Sequence, residues 1–135
     1  MVKKKQSQKN ATAIMLDEDE LTASLEKNET YKDLTDKLAK IRKQSGVVGY
    51  IIRNATSAAI DIEEPEKLVE YAIFSSQMMD SSQEISDQFK LGDITSVLIE
   101  GKQNKALWMN IEGNKISIFM EKDADDADIL KYISP

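Results

Sequence analysis

The sequence predicts an α+β fold: a five-stranded antiparallel sheet with helices on both faces, in the order α-β-β-α-β-β-β-α. Apolar residues recur at helical spacing in three stretches, and β-branched and aromatic residues mark five strand-like runs. The links within each group of strands are as short as hairpin loops, which favours antiparallel pairing. A chain of 135 residues is large enough for one domain with its own core.

The first helix is predicted to begin at Thr30 and to end at Gly46. Thr30 and Asp33 have the spacing of a capping box, and glycine is a common helix stop. The residues that would form its apolar face, at helical spacing, are Tyr31, Leu34, Leu38 and Ile41.

The residues before this helix are predicted to be a flexible extension, 1–29, attached to a domain that spans residues 30–135. Residues 1–12 are polar and basic, a composition typical of disordered segments. An acidic run from Asp17 and the apolar residues around it fit a short helix over residues 17–27, but a frayed linker is slightly favoured. The sequence leaves these two alternatives open.

Two strands are predicted next. Residues 47–52 are β-branched and aromatic, as in a strand that is buried on both faces. Residues 53–56 indicate a turn, in which Asn54 is able to take a left-handed conformation. Residues 57–62 form a shorter and weaker strand, which we expect at an edge of the sheet.

The central element is a long helix over residues 64–91. Its start carries acids and Pro65, which a first helical turn accepts, and Gly92 follows its end. Its apolar residues cover a face wider than the ~100° that is typical of an amphipathic helix with one side exposed to solvent. The helix either lies deep in its own domain or also packs on a second subunit, and the sequence does not separate the two. The broad face comprises Leu68, Tyr71, Ala72, Phe74, Met78, Met79, Ile85 and Phe89, whereas Val69 and Ile73 point elsewhere.

Three strands and a short helix are predicted to complete the fold. Large residues on both faces of these strands indicate that the sheet is covered on both sides, and Trp108 fits a core position or an interface anchor. Gly113-Asn114 is interpreted as a two-residue hairpin loop. The strands span residues 94–100, 105–112 and 115–121, and the helix contains Ile129, Leu130, Tyr132 and Ile133.

Composition argues against several classes of function. The chain has no cysteine and no histidine, which excludes disulfides, thiolate metal sites and histidine-based catalysis. No apolar run has the length of a membrane span and no signal peptide is visible, so we expect a cytoplasmic protein. The first ten residues carry four lysines and no acid, whereas the rest carries 14 basic and 24 acidic residues. Such an acidic body argues against nucleic-acid binding.

The strongest candidates for a reactive or metal-binding site in the sequence are carboxylates. Asp123, Asp125, Asp126 and Asp128 could hold Ca²⁺ or Mg²⁺, but an EF-hand loop needs glycine and glutamate where Asp128 and Ser134 stand. The cluster precedes a predicted helix, where acids cap exposed N–H groups, so capping is the favoured interpretation. The pair that flanks the last hairpin, Glu112 and Glu121, is interpreted as solvated strand ends. We therefore expect no catalytic residue, no metal and no cofactor.

Three stretches together resemble the roadblock family of dynein light chains and their bacterial and archaeal relatives: residues 46–52, the long helix, and residues 91–101. The resemblance covers residues 30–135 and implies a roadblock/profilin-like sandwich, with the long helix on one face of the sheet and the shorter helices on the other. It also implies a homodimer in which the long helices lie side by side and the strand at 94–100 pairs across the two-fold axis. In the family such dimers are non-catalytic platforms that regulate Ras-like small GTPases or act as adaptors in larger complexes.

The leading hypothesis is therefore a homodimeric regulatory or scaffold protein whose partner is a small GTPase or another protein. Two alternatives stay open: a small-molecule-sensing α/β domain, and an enzyme that uses carboxylates with a divalent ion. Small serines on the long helix would let a second helix approach closely, and its adjacent methionines form an adaptable surface. No partner-binding residue is assigned. The residues expected at the dimer interface are Tyr71, Phe74, Ser75, Met78, Met79, Ser82, Ile85, Thr95, Val97 and Ile99.

Overall fold

A computed structural model describes the backbone of residues 18–135 and the side chains of residues 29–135. The predicted disorder over residues 1–12 and the predicted helix start at Asp17 lie outside the described residues. The chain divides into two compact units, residues 1–33 and residues 34–135, and the sheet lies entirely in the second. The flexible extension over residues 1–29 stays a prediction.

The first helix, α1, spans Glu18–Arg42, and its residues from Leu34 onward belong to the second unit. The predicted helix start at Thr30 is wrong, because the backbone is already helical at Glu18. No glycine or proline stands between these two positions, and leucine and glutamate, which favour helix, are frequent there. The capping-box pattern therefore falls inside a helix rather than at its beginning.

Five strands form one antiparallel sheet, as predicted. Their order across the sheet is β2-β1-β5-β4-β3, so that β2 and β3 are the two edges. The predicted order of helices and strands along the chain is also confirmed. The strands are β1 (Val47–Arg53), β2 (Ala58–Ile62), β3 (Ser96–Glu100), β4 (Asn104–Ile111) and β5 (Asn114–Glu121).

The long helix, α2 (Leu68–Phe89), covers one face of this sheet and follows a 3₁₀ turn at Pro65–Lys67. Trp108 is 3% exposed and belongs to the apolar core beneath α2, so it is a core residue. The remaining buried members of this core come from four strands and from the helix itself, namely Ile51, Ile62, Met78, Ala106 and Phe119.

The end of α1 and a short helix, α3 (Asp126–Ile133), lie on the opposite face. Arg42 at the end of α1 contacts Asp61 of β2 at 3.4 Å. Lys105 of β4 binds Asp126, the first residue of α3, at 2.5 Å. The buried side chains of this second face are Leu34, Leu38, Ile41, Tyr50, Ile52, Leu107, Met109, Ile116, Ile118, Met120, Ile129 and Ile133.

Two turns at one end of the sheet differ from the prediction. The β4–β5 loop is Glu112-Gly113 rather than Gly113-Asn114, and both residues have positive φ angles, 50° and 82°. Asn114 belongs to β5 and is buried, and its side chain accepts a hydrogen bond from the Asn54 amide at 2.9 Å. Asn54 does not use the left-handed conformation that is open to asparagine. It closes the β1–β2 turn through its side chain, which accepts from the backbone N–H of Ser57 at 2.8 Å.

Candidate interaction surface

Helix α2 buries very little of itself for an element of its length. Of its 22 residues, only Met78 and Ser86 are buried. Because a surface helix normally buries an apolar stripe along its whole length, α2 presents an unusual amount of apolar surface to its surroundings. Its exposed large apolar side chains are Leu68, Val69, Ile73, Phe74, Ile85 and Phe89.

The side of α2 that faces the sheet is held by one aromatic cluster and by serines. The ring of Tyr71 lies 4.4 Å from that of Phe119 on β5, and the ring of Phe74 lies 6.3 Å from it. Ser75 shares a short hydrogen bond with Ser117 of β5. Small hydroxyl side chains at this contact let the helix approach the sheet closely, so the larger apolar side chains are left on its flanks.

The end of α2 is fixed by a similar serine contact. The Ser86 hydroxyl donates to the carbonyl of Gly92, and the Leu91 N–H donates to the carbonyl of Ser86 at 3.0 Å. Helix α2 ends at Phe89, and Lys90 takes a left-handed conformation with φ of 56°. The stop signal predicted at Leu91-Gly92 thus lies just beyond the observed helix end.

The edge strand β3 lies beside α2 and is almost entirely exposed. Val97 and Ile99 face the same side of the sheet as α2, because their partners on β4 are Trp108 and Ala106, both of which belong to the core beneath the helix. Ile99 is 42% exposed. Among the five strands, β3 pairs only with β4, so one row of its backbone N–H and C=O groups has no strand partner.

A half-open cleft of about 240 Å³ lies between α2 and the β3–β4 hairpin. Tyr71 and Phe74 form its helix wall, Ile99 and Ala106 form its strand wall, and Phe119 lies between them. Helical spacing places Ile85 and Phe89 on the same side of α2 as Phe74. We refer to Tyr71, Phe74, Ile85, Phe89, Val97 and Ile99 together as the α2–β3 surface.

The residues expected at a dimer interface are brought together on this part of the molecule, but not all of them face outward. Met78 is 3% exposed and supports α2 from within the core, so it is not part of the α2–β3 surface. Ser75 is turned toward β5 rather than away from the sheet. The partly buried members are Tyr71, Ser75, Met79, Ser82 and Val97, and the exposed ones are Phe74, Ile85, Thr95 and Ile99.

Three further exposed apolar residues were missing from the expected interface. Phe89 and Leu91, which flank the end of α2, are 71% and 69% exposed, and Leu98 of β3 is 44% exposed on the other face of the sheet. Helical spacing already places Phe89 with Phe74 on the broad apolar face, and this pattern could have added Phe89 to the expected interface.

Two of the carboxylates considered as a reactive or metal site, Asp125 and Asp126, have structural contacts. Asp125 is the N-cap of α3 and accepts a hydrogen bond from the Asp128 N–H at 2.9 Å, which confirms capping, and Asp126 pairs with Lys105. Glu112 lies in the β4–β5 turn, whereas Glu121 is at the far end of β5, so the two are separated by the length of the hairpin.

Over the part of the chain that the structure describes, no group of three or more histidine, cysteine, aspartate or glutamate side chains has the arrangement of a metal site. Over the same residues, no helix combines the length and the apolarity that a membrane crossing requires.

The sequence matches no protein-family model and no curated protein. The structure, in contrast, is similar to the crystal structure of a Roadblock/LC7 domain from Streptomyces avermitilis, with a TM-score of 0.58 and 12% sequence identity. The similarity covers 73% of this chain and 83% of the bacterial domain. The chain therefore has the roadblock fold that its resemblance to the family implies.

Proposed function

We propose that this roadblock-like chain is a non-catalytic regulatory or adaptor module that acts as a homodimer and binds a small GTPase. The observation that carries the proposal is the α2–β3 surface: a long helix with two buried residues lies beside an edge strand that pairs on one side only. An apolar surface of this kind on a folded domain marks a site of protein association.

A second copy of the chain is the occupant that satisfies both parts of this surface. In a two-fold arrangement, β3 of one copy would pair antiparallel with β3 of the other and satisfy the open row of backbone groups. The same operation would bring the two α2 helices together over the joined sheet. The exposed side chains of Phe74, Ile85 and Ile99 would then be covered, which favours association by the hydrophobic effect.

The choice of a small GTPase as the partner rests on the resemblance to the roadblock family, whose dimers regulate Ras-like GTPases or serve as adaptors. The supporting features of this chain are its fold and an acidic body that disfavours nucleic acids as partners. Regulation in this sense needs no catalytic group of its own, because a partner is positioned rather than chemically changed.

The cleft between α2 and β3 supports a second candidate function, the sensing of a small apolar molecule. Its volume of about 240 Å³ is below the ~300–1,000 Å³ of ordinary ligand pockets, and one side is open. In the proposed dimer this opening faces the second copy, so a ligand and the partner subunit would compete for the same space. The dimer is therefore favoured over the sensor.

Two measurements test the proposal. Sedimentation velocity of the purified chain at micromolar concentration should show a dimer, and a monomer under these conditions would contradict it. The immobilised chain should then retain a small GTPase from native lysate, identified by mass spectrometry, with a different yield in GDP and in a non-hydrolysable GTP analogue. A dimer that retains adaptor components but no GTPase would keep the scaffold function and overturn the choice of partner.

A further inference from the structure

The outward side of α2, away from the sheet, carries two apolar residues that the proposed dimer does not use. Val69 and Ile73 are 65% and 54% exposed and stand four positions apart, so they are neighbours on one face. Val69 precedes the buried Met78 by nine positions, or two and a half helical turns, so the two side chains point in opposite directions. The α2–β3 surface, which contains Phe74 and Ile85, lies on a flank between them.

Acidic side chains frame these two residues. Val69, Glu70 and Ile73 lie on one side of α2, Glu66 lies in the 3₁₀ turn just before it, and all four are exposed. We call these four residues the outer patch. Glu63 and Glu64, just before the helix, are exposed as well.

The negative charge of this region is not balanced by nearby basic residues of the same segment. Between Asn54 and Phe89, Lys67 is the only basic side chain in the sequence. Its ammonium lies 3.4 Å from the Glu64 carboxylate, whose hydrogen bond and charge raise the pKa of Lys67 above its ordinary value. Lys67 thus pairs with Glu64 and feels the charge of Glu70 more weakly, so the charge beside Val69 and Ile73 stays negative.

We propose that the outer patch docks a basic amphipathic helix of a partner protein. The apolar side of that helix would pack on Val69 and Ile73, and its lysines or arginines would lie over Glu66 and Glu70. Helices are commonly recognised through apolar anchors at this spacing, and charge complementarity selects the partner and speeds its association. The same acids repel nucleic-acid phosphates and anionic membrane surfaces, so the charge of the patch points to a basic protein segment.

The patch is tested with a fluorescent 18-residue peptide of leucine and lysine, arranged to form an amphipathic helix, and with a leucine and glutamate peptide of the same pattern. Binding to the full chain is followed by fluorescence anisotropy at low and at physiological salt. Two matched pairs of variants locate the site. Ile73→Ser is compared with Ile85→Ser, because these isoleucines are 54% and 55% exposed on different sides of the same helix. Glu70→Gln is compared with Glu84→Gln, which lies ~21 Å further along the helix.

We expect the lysine peptide to bind and the glutamate peptide not to bind. Ile73→Ser should weaken binding about tenfold and Glu70→Gln several-fold, and salt should weaken it further, since exposed charges are screened. Ile85→Ser and Glu84→Gln should bind as the unchanged chain does. Failure of the lysine peptide to bind, equal binding of both peptides, or equal losses within either matched pair would overturn the proposal. All four positions are exposed, so the variants should keep the fold, which circular dichroism checks.

This docking surface does not depend on the proposed dimer, and sedimentation of the same variants separates the two proposals. Ile85→Ser should weaken the dimer and leave peptide binding intact, whereas Ile73→Ser should do the reverse. Peptide binding that depends on Ile73 in a chain that is monomeric throughout would preserve the docking surface and overturn the dimer. A dimer weakened by Ile85→Ser, with no peptide binding, would do the opposite.

Discussion

The two edge strands of the sheet offer a matched test of where the chain associates with itself. Ile99 lies in β3 and Ile60 in β2, at opposite edges, with exposed fractions of 42% and 43%. Both face the α2 side of the sheet, since their strand partners, Ala106 and Ile51, belong to the same core. Replacing either residue by aspartate is the same chemical change, made once inside the proposed interface and once far from it.

The expected change in the free energy of dimer dissociation follows from the part of Ile99 that is exposed in the single chain and would be covered in the dimer. Covering the exposed part of Ile99 contributes about 1 kcal/mol at ~25 cal/mol per Å². An aspartate in its place adds the cost of removing an unpaired charge from water, about 2 kcal/mol or more. A two-fold dimer contains the substitution twice, so the total is about 6 kcal/mol, which corresponds to a dissociation constant raised by roughly 10⁴.

Sedimentation velocity over a dilution series measures this change directly. Ile99→Asp should be monomeric at concentrations where the unchanged chain is a dimer, and Ile60→Asp should remain a dimer. Thermal unfolding by circular dichroism checks that both variants fold. If the two variants dissociate to the same extent, or if Ile60→Asp alone becomes monomeric, the assignment of the interface to β3 is refuted.

Two further predictions concern contacts within the chain, both measured by urea unfolding. Asp126→Asn should lower the free energy of unfolding by about 2–3 kcal/mol, because it leaves the ammonium of Lys105, whose side chain is 5% exposed, without its closest partner. Lys105→Met removes that buried charge itself and should therefore cost less than half as much. Equal losses would contradict this account. Asn54→Ala should cost about 2 kcal/mol, since it removes four hydrogen bonds and one of them satisfies the buried Asn114. Asn110→Ala, at the exposed end of β4, removes one side-chain hydrogen bond to the turn and should cost at most about 1 kcal/mol. A larger loss for Asn110→Ala would contradict the role given to Asn54.

Most of the fold could be predicted because alternation and helical spacing are properties of the sequence itself. The two faces of β5 are an example: Ile118 and Phe119 are neighbours in the chain and face opposite layers of the fold, as their alternation predicts. The errors fall where a local signal has two structural uses. Thr30 and Asp33 fit a helix start, yet nothing before them stops a helix that begins at Glu18.

Side-chain hydrogen bonds explain the errors at the turns. Asn114 looks like a loop residue, but it is buried in β5 because the Asn54 side chain, sixty positions away in sequence, donates to it. A partner that far along the chain leaves no local pattern. The same holds for Ser75, whose small size fits a contact with a second helix as well as the contact with Ser117 that the structure shows.

The direction of Met78 could not be predicted for a related reason. A wide apolar face on a helix indicates how much apolar surface there is, but not which part of it meets the helix's own sheet. That division depends on how closely the helix sits on the sheet, which is set by Ser75 and by the ring of Tyr71 against Phe119. The sequence therefore indicates a helix with a wide apolar surface, and the structure shows which part of that surface meets the sheet and which part stays exposed.

The uneven attachment of α2 gives the proposed dimer a role in folding as well as in recognition. The first half of the helix is held by Tyr71, Phe74 and the buried Met78, whereas the second half buries only Ser86, a residue that adds little hydrophobic stabilisation. In that second half, Ile85 and Phe89 are more than half exposed. Covering them with a second copy would supply the apolar contacts that the single chain lacks, so association and the stability of this half of the helix are coupled. Loss of the dimer contacts should therefore destabilise the C-terminal half of α2 first, because this half makes the fewest buried apolar contacts with its own sheet.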